Sequence, residues 1–232
     1  SRLLVINSPG NPSGQVMTLA EMEALAALVA RHPQLMVMSD EIYEYLTFGS
    51  PHKSLLEVCP KLRDRFILVG GLSKGYAMTG WRVGYAAGPQ NVISAVNTLQ
   101  GHSSTCLPPF VEAGAIAALL GGRKSVAQEL TVLRQRRDLV LKLVAQVPGV
   151  DWVKPDGAFY LFVDIRGVMK RKGFSSSMAF SEYLLTKGHV AAVPGEAFGA
   201  PGYLRFSYAT SEEVLRKGFD RFKKIVTDEG VD

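Results

Sequence analysis

The stretch FILVGGLSKGYAMTGWRVG, running from Phe66 to Gly84, decides the reading of this chain. Phe66 to Val69 is a short apolar run of strand character, closed by Gly70 and Gly71 and followed by a polar loop that carries Lys74. A second such run, Val83 to Ala87, comes after the loop. Strands that are apolar on both faces need cover on both sides, which points to a mostly parallel sheet with helices on both faces. The pattern extends upstream through Leu3 to Ile6, a helix from about Thr18, and Leu35 to Met38. Thr18 and Glu21 form a capping box ahead of Met22, Leu25, Ala26, Leu28 and Val29 at helical spacing. The fold class is α/β.

Downstream the organisation changes. Pro109 to Val147 is helical in pattern with a break near Gly121 and Gly122, and its second piece, from about Arg123, is long enough to bridge two domains. Beyond it, Val150–Val153, Ala158–Val163, Val190–Val193 and Leu204–Tyr208 read as short strands, while Ser176–Lys187 and Ser211–Val226 read as amphipathic helices. Thr210 and Glu213 supply the capping box of the last helix. The expected division is a larger domain over 1–133 and a smaller α+β domain over 134–232.

Bulk properties narrow the function classes. The chain has 232 residues, 47% of them hydrophobic, and no apolar run near the roughly 20 residues that span a bilayer. A cytoplasmic location without membrane contact is the expectation. The net charge of +5 is spread along the chain, which gives no nucleic-acid signature. Arg134, Arg136 and Arg137, the densest basic cluster, read as a solvated helix face. Cys59 and Cys106 share no metal or disulfide spacing, so no metal site is expected.

In an open α/β sheet, ligands bind beyond the carboxyl ends of the strands. Four segments there carry polar residues: Asn7 to Gly14, Ser39 to Tyr43, Gly70 to Lys74 continuing through Thr79 to Gly84, and Tyr203 to Ser207. Each alone has an ordinary explanation, since N-P-S-G is a common turn and an Asp after a strand often caps a helix. No nucleotide motif competes: G-x-G-x-x-G is absent, and Lys74 lacks the flanking glycine and hydroxyl residue of a Walker A loop.

Together and in this order, N-P-S-G at Asn11, S-D-E-I-Y around Asp40, S-K-G-Y-A-M-T-G-W-R-V-G from Ser73 and L-R-F-S-Y-A-T-S ending at Ser211 resemble the class I/II aminotransferases of fold type I, within the aspartate aminotransferase superfamily. The likeness covers essentially the whole chain. It implies part of the large cofactor-binding domain plus a small α+β domain, with pyridoxal 5'-phosphate as cofactor. By the resemblance, Lys74 forms the Schiff base and shuttles the substrate proton, work that an arginine is too basic to do. Asp40 matches the carboxylate that keeps the pyridine nitrogen protonated, while Tyr43 and Asn11 match the two donors to the cofactor's ring oxygen. Arg82 matches the phosphate-holding arginine, with Ser73 as an added donor, and Gly71 stands where many relatives have a serine. Arg205 matches the clamp on the substrate α-carboxylate, on a domain whose closure would organise the site, and Asn11 is implied as a further substrate contact.

The implied activity is transamination between an L-amino acid and a 2-oxo acid. Two alternatives stay open: a fold-type-I lyase, of the C–S lyase or ACC-synthase-like kind, and a non-enzymatic sensor domain. Gly157 to Tyr160 and Val193 to Gly195 also resemble family stretches, and packing accounts for them as well as substrate contact does. Relatives carry a substantial segment before the N-P-x-G turn, so this chain is expected to be a C-terminal fragment of a protein that is a homodimer at full length. The 232 residues alone are then expected to show poor or no turnover, and a robust kcat from purified material would overturn that.

Overall fold

The structure is a computed structural model that describes residues 1–122 and 124–228. The chain divides into two compact units, Ser1–Gly10 with Val16–Leu130, and Asn11–Gln15 with the residues from Thr131 onward. Two details depart from the sequence reading. The division falls inside a helix three residues before the expected boundary, and Asn11–Gln15 joins the second unit, not the first.

The first unit holds β1 (Leu3–Asn7), α1 (Leu19–Ala30), β2 (Met36–Asp40), α2 (Leu55–Val58), β3 (Phe66–Gly71), β4 (Gly84–Ala87), α3 (Gln90–Ser103) and α4 (Pro109–Leu120), and ends in the first turns of α5 (Lys124–Val144). Its sheet runs β1-β2-β3-β4, with the first three strands parallel and β4 antiparallel to β3. Parallel strands need long crossovers, and α1 provides the one between β1 and β2. The Thr18 capping box forms: Thr18 Oγ1 accepts from the Glu21 amide at 3.3 Å, and Glu21 Oε2 accepts from the Thr18 amide at 2.7 Å. Met22, Ala26 and Val29, spaced one helical turn apart, bury against Leu35, Val37, Leu55, Leu62 and Phe66. Each large apolar side chain so buried contributes about 1.5–3 kcal/mol. The helix Gln90–Ser103 was not expected from the sequence, and none of its residues is buried.

The second unit contains the rest of α5, then β5 (Asp151–Trp152), β6 (Tyr160–Asp164), α6 (Arg166–Lys172), α7 (Ser177–Gly188), β7 (Val193–Pro194), β8 (Tyr203–Ser207) and α8 (Glu212–Thr227). Its sheet, ordered β5-β6-β8-β7, is antiparallel throughout. Leu161, Val163, Ile165, Phe180, Leu184, Leu204 and Phe222 are all fully buried in its core. From α8, Leu215, Phe219, Phe222 and Val226 supply the apolar stripe, and the Phe206 ring lies 5.3 and 5.1 Å from those of Phe219 and Phe222.

Two local expectations are corrected. The α8 cap is Ser211, whose Oγ accepts from the Val214 amide at 3.3 Å, so the Thr210–Glu213 box does not form. Arg137 is buried at 7% exposure, unlike Arg134; its Nε and Nη2 donate to Asp138 Oδ1 at 2.9 and 2.7 Å. A buried guanidinium needs such an acceptor, because an unpaired charge out of water costs several kcal/mol.

Asn11–Gln15 belongs to the second unit through its hydrogen bonds. The Gly14 carbonyl accepts from the Asp156 and Gly157 amides at 2.9 and 2.8 Å, and Gln15 Nε2 donates to the Lys154 carbonyl at 3.0 Å. Gly14 has φ +68°, and a Cβ there would sit 2.4 Å from Pro155 Cβ and 2.9 Å from the Gly157 oxygen. Glycine is required on both counts. Gly14→Ala should therefore destabilise the second unit by about 2–4 kcal/mol, read as a lowered urea midpoint; an unchanged midpoint would show that the segment detaches freely.

Candidate active site

The three parallel strands end at one edge, and most of the sequence-predicted residues gather there. Asn7, last in β1, lies in register with Asp40, last in β2, and Asn7 Nδ2 donates to the Asp40 carbonyl at 3.0 Å. The half-buried Asp40 carboxylate accepts from the Ile42 amide at 3.2 Å, which turns the chain sharply out of the strand. Tyr43, 4% exposed, lies in the turn that follows, in which the Glu44 amide donates to the Glu41 carbonyl at 2.8 Å.

Ser73 and Lys74 follow β3 directly and are both half-buried. Their loop is tightened by the Leu72 carbonyl, which accepts from the Tyr76 and Met78 amides at 3.3 and 3.2 Å. It also leans on the Tyr43 loop. A Cβ on Gly75 would lie 2.6 Å from Tyr45 Cδ2, and the Tyr45 and Tyr76 rings meet edge to face at 5.5 Å. Arg82 stands two residues before β4, exposed, in the left-handed region at φ 54° and ψ 43°, with Nη1 donating to the Thr79 carbonyl at 3.0 Å. A non-glycine residue held there stores strain of about 1–3 kcal/mol, a feature that concentrates at functional sites. Gly71 sits in a tight place: a Cβ would meet Ile42 Cδ1 at 3.0 Å and Gly84 Cα at 3.1 Å, so a side chain there would require its neighbours to shift by a few tenths of an ångström.

Asn11 and Arg205 form a separate group in the second unit. Arg205, in the middle of β8, lies in register with Phe162 of β6 and Val193 of β7. Its Nη1 donates to Asn11 Oδ1 at 2.8 Å, and its guanidinium carbon is 4.4 Å from the Tyr160 ring centroid and 5.1 Å from that of Phe198. The aromatic faces fix the plane of the fork. Arg205 Nε is buried without a hydrogen-bond partner, a donor suited to a planar anion with two oxygens. Tyr160, which the sequence left between packing and contact, is a platform for Arg205.

Sequence reasoning missed Glu41 and His52. The Glu41 side chain is 4% exposed and that of His52 6%, and Glu41 Oε2 meets His52 Nε2 at 2.9 Å. Glu41 Oε1 accepts from Ser39 Oγ at 2.9 Å and Ser54 Oγ at 2.7 Å. Burial works to raise the Glu41 carboxyl, but the hydrogen bonds from His52, Ser54 and Ser39 outweigh it and hold the group below the usual carboxylate range. Nothing in the sequence pairs an acid with a histidine eleven residues on, so no signal pointed to them.

The fold is the type I fold of the pyridoxal-phosphate-dependent enzymes: an aspartate aminotransferase from Rhizobium meliloti superposes with a TM-score of 0.92 at 35% identity, over 97% of this chain and 58% of that one. A family model described as aminotransferase class I and II matches residues 1–222, and the chain belongs to that family. It is 36% identical to an aspartate/prephenate aminotransferase of Nitrosomonas europaea, over 98% of this chain and 59% of that protein. With an aspartate aminotransferase of Geobacillus stearothermophilus the identity is 40%, over 97% of this chain and 58% of the relative. The chain thus spans less than three fifths of the length of these curated relatives. Enzymes of this family use pyridoxal 5'-phosphate.

Glu41 gives the site a pH dependence of definite sign. Its carboxyl is depressed in the folded state, so its contribution is fully present above the unfolded value of about 4.3 and is lost as pH falls through the folded one. Glu41→Gln should cost about 1–3 kcal/mol at pH 7 and progressively less toward pH 3, compared by urea unfolding; an equal cost at both would contradict an ionised Glu41.

Proposed function

We propose that this chain carries the amino-transfer chemistry of a pyridoxal-5'-phosphate-dependent transaminase that moves an amino group between an L-amino acid and a 2-oxo acid. The observation that carries the reading is the gathering of Asp40, Tyr43, Lys74 and Arg82 at the single edge where β1, β2 and β3 end.

The donor set fits this cofactor. Arg82 offers an exposed guanidinium to a phosphate, with the Ser73 hydroxyl as a second donor. Asp40 would hold a proton on the ring nitrogen with its carboxylate, and Tyr43 would donate its phenol to the ring oxygen, the oxygen to which the family resemblance also assigns Asn11. Bound at Lys74, the cofactor supplies an electron sink for the bond that breaks at the substrate α-carbon. Once the substrate amine had taken its place on the cofactor, the freed Lys74 amine would take the proton from that carbon and deliver it to the cofactor carbon that had carried the lysine. Arg205 clamps the substrate α-carboxylate, with Asn11 and the Tyr160 and Phe198 rings orienting the guanidinium.

Relatives bearing the names aspartate and aspartate/prephenate aminotransferase make aspartate the first donor to try. A cytoplasmic homodimer completes the proposal. In its favour, no helix among the described residues is long and apolar enough to cross a membrane, and Leu99, Phe110 and Leu120 leave apolar surface on the first unit for a second copy.

The direct test is to add pyridoxal phosphate, reduce with borohydride and map the modified peptide by mass spectrometry. A single label on Lys74, lost in Lys74→Ala, is expected. Absence of the label from Lys74 both in this chain and in the full-length protein would refute the reading, and release of pyruvate and ammonia without a 2-oxo acid acceptor would replace transfer by elimination.

A further inference from the structure

Beyond the residues assigned to the chemistry, the first unit contains one buried ionic cluster that the proposed mechanism does not use: Ser39, Glu41, His52 and Ser54. From it we infer that Glu41 is a positioning residue, a clamp that closes the 41–54 loop and thereby fixes Tyr43 and Tyr45 beside the lysine loop. The inference rests on the transaminase reading above for what Tyr43 does, and on geometry alone for the clamp itself.

Glu41 holds both ends of the excursion. Its amide donates to the Val69 carbonyl of β3 at 2.8 Å, and its carbonyl accepts from the Glu44 amide at 2.8 Å to set the turn that contains Tyr43. The next bond, from the Leu46 amide to the Tyr43 carbonyl at 2.8 Å, carries the turn toward Tyr45. The carboxylate then reaches across to the far end of the loop, to His52 and to Ser54, the N-cap of α2. Ser54 in turn accepts from the Leu56 amide at 3.3 Å, so the start of α2 is tied to the strand end through Glu41 as well as through the packing of Leu55. Without the clamp, the twelve residues between Glu41 and Ser54 would lose the one carboxylate that joins both ends of the loop, keeping the Tyr85–Glu44 hydrogen bond, the backbone turns and packing.

The cluster is built for an anion. Three groups donate to one carboxylate in a buried site, each bond being worth about 1.5–3 kcal/mol with an ionised acceptor. With Glu41 ionised, His52 Nε2 donates to the carboxylate, while Nδ1 is buried without a hydrogen-bond partner. A glutamine at 41 would preserve the shape but remove the negative charge that strengthens the bonds from His52, Ser39 and Ser54, so the neutral isostere weakens the clamp. The consequence reaches the chemistry through two side chains: Tyr43 is buried in the clamped turn, and Tyr45 supports Gly75, next to Lys74.

The test uses two readouts on Glu41→Gln, the milder Ser54→Ala and, as a surface control on α1, Glu23→Gln. First, amide hydrogen exchange is followed without cofactor. Glu41→Gln and Ser54→Ala should speed exchange over residues 41–48 by about tenfold or more, leaving α1 unchanged, and Glu23→Gln should do neither. Unchanged exchange over 41–48 in both variants would overturn the clamp. Second, pyridoxal phosphate is bound and the pH at which its visible band shifts is measured. A phenol that donates to the ring oxygen stabilises the deprotonated form, so Tyr43→Phe should raise that midpoint. Glu41→Gln should raise it in the same direction, and the double variant no further than Tyr43→Phe alone. A Glu41→Gln midpoint equal to wild type, while Tyr43→Phe moves it, would reduce Glu41 to a packing role and overturn the positioning claim. If Glu41→Gln fails to fold, Ser54→Ala decides by the same two measurements. If the wild-type protein shows no cofactor band, the transaminase reading fails, and the exchange result still decides the clamp.

Discussion

Parallel pairing of β1, β2 and β3 is the constraint on which the rest of the first unit depends. With Asn7 opposite Asp40 and Asp40 opposite Val69, the three strands reach the same edge together, and every connection leaving that edge must begin there. The backbone groups freed at the edge need partners, which the first polar side chains provide: Asn7 donates to the Asp40 carbonyl, and the Asp40 carboxylate takes the Ile42 amide. The carboxylate, phenol, amine and guanidinium of the proposed chemistry are therefore gathered by register, before any packing detail is considered. Arg82 stands at the same edge because the antiparallel β4 starts there, with Gly84 opposite Gly71.

Close approach then replaces side chains with glycine where loops meet. Gly75 lets the lysine loop rest on Tyr45, and Gly70 lies under the Tyr85 ring, whose hydroxyl donates to Glu44 Oε1 at 3.0 Å. Burial and the neighbouring Glu44 charge push the Tyr85 phenol up, which keeps it protonated and able to make that bond. The Lys74 loop, the Tyr43 loop and β4 thus restrain one another within the first unit. In the second unit the corresponding restraint is aromatic, with Tyr160 and Phe198 against the Arg205 guanidinium.

Much of this was legible in the sequence where a local rule applies. The α1 start could be read because Thr18 and Glu21 satisfy each other within one turn, and the strands because uninterrupted apolar runs have few alternatives. The helix Gln90–Ser103 was not, since its cap position is Pro89 with no side-chain bond and it buries none of its residues. At α8 two adjacent hydroxyl residues compete for the cap, and only the backbone angle at Ser211 selects it. Arg137 looked solvated because its burial is set by the helix's packing in the second unit, not by its neighbours in sequence. The candidate site residues were assigned through a family likeness carried by ordered motifs. Glu41 and His52 carry no such motif role, and their partnership exists only once the 41–54 loop has closed.

The five residues Asn11–Gln15 have a consequence for how the molecule can be taken apart. The chain leaves the first unit after Gly10, returns to it at Val16, and leaves again after Leu130, so the second unit is not a continuous stretch of sequence. Cutting at the last of these junctions would yield a piece in which the amides of Asp156 and Gly157 lose their shared acceptor and Arg205 loses Asn11. The boundary that looks natural along the sequence is therefore the wrong place for scissors. A separately folded second unit would need residues 11–15 supplied as a peptide or spliced on by circular permutation, and its recovery with that peptide would be a case of fragment complementation at the scale of a single turn.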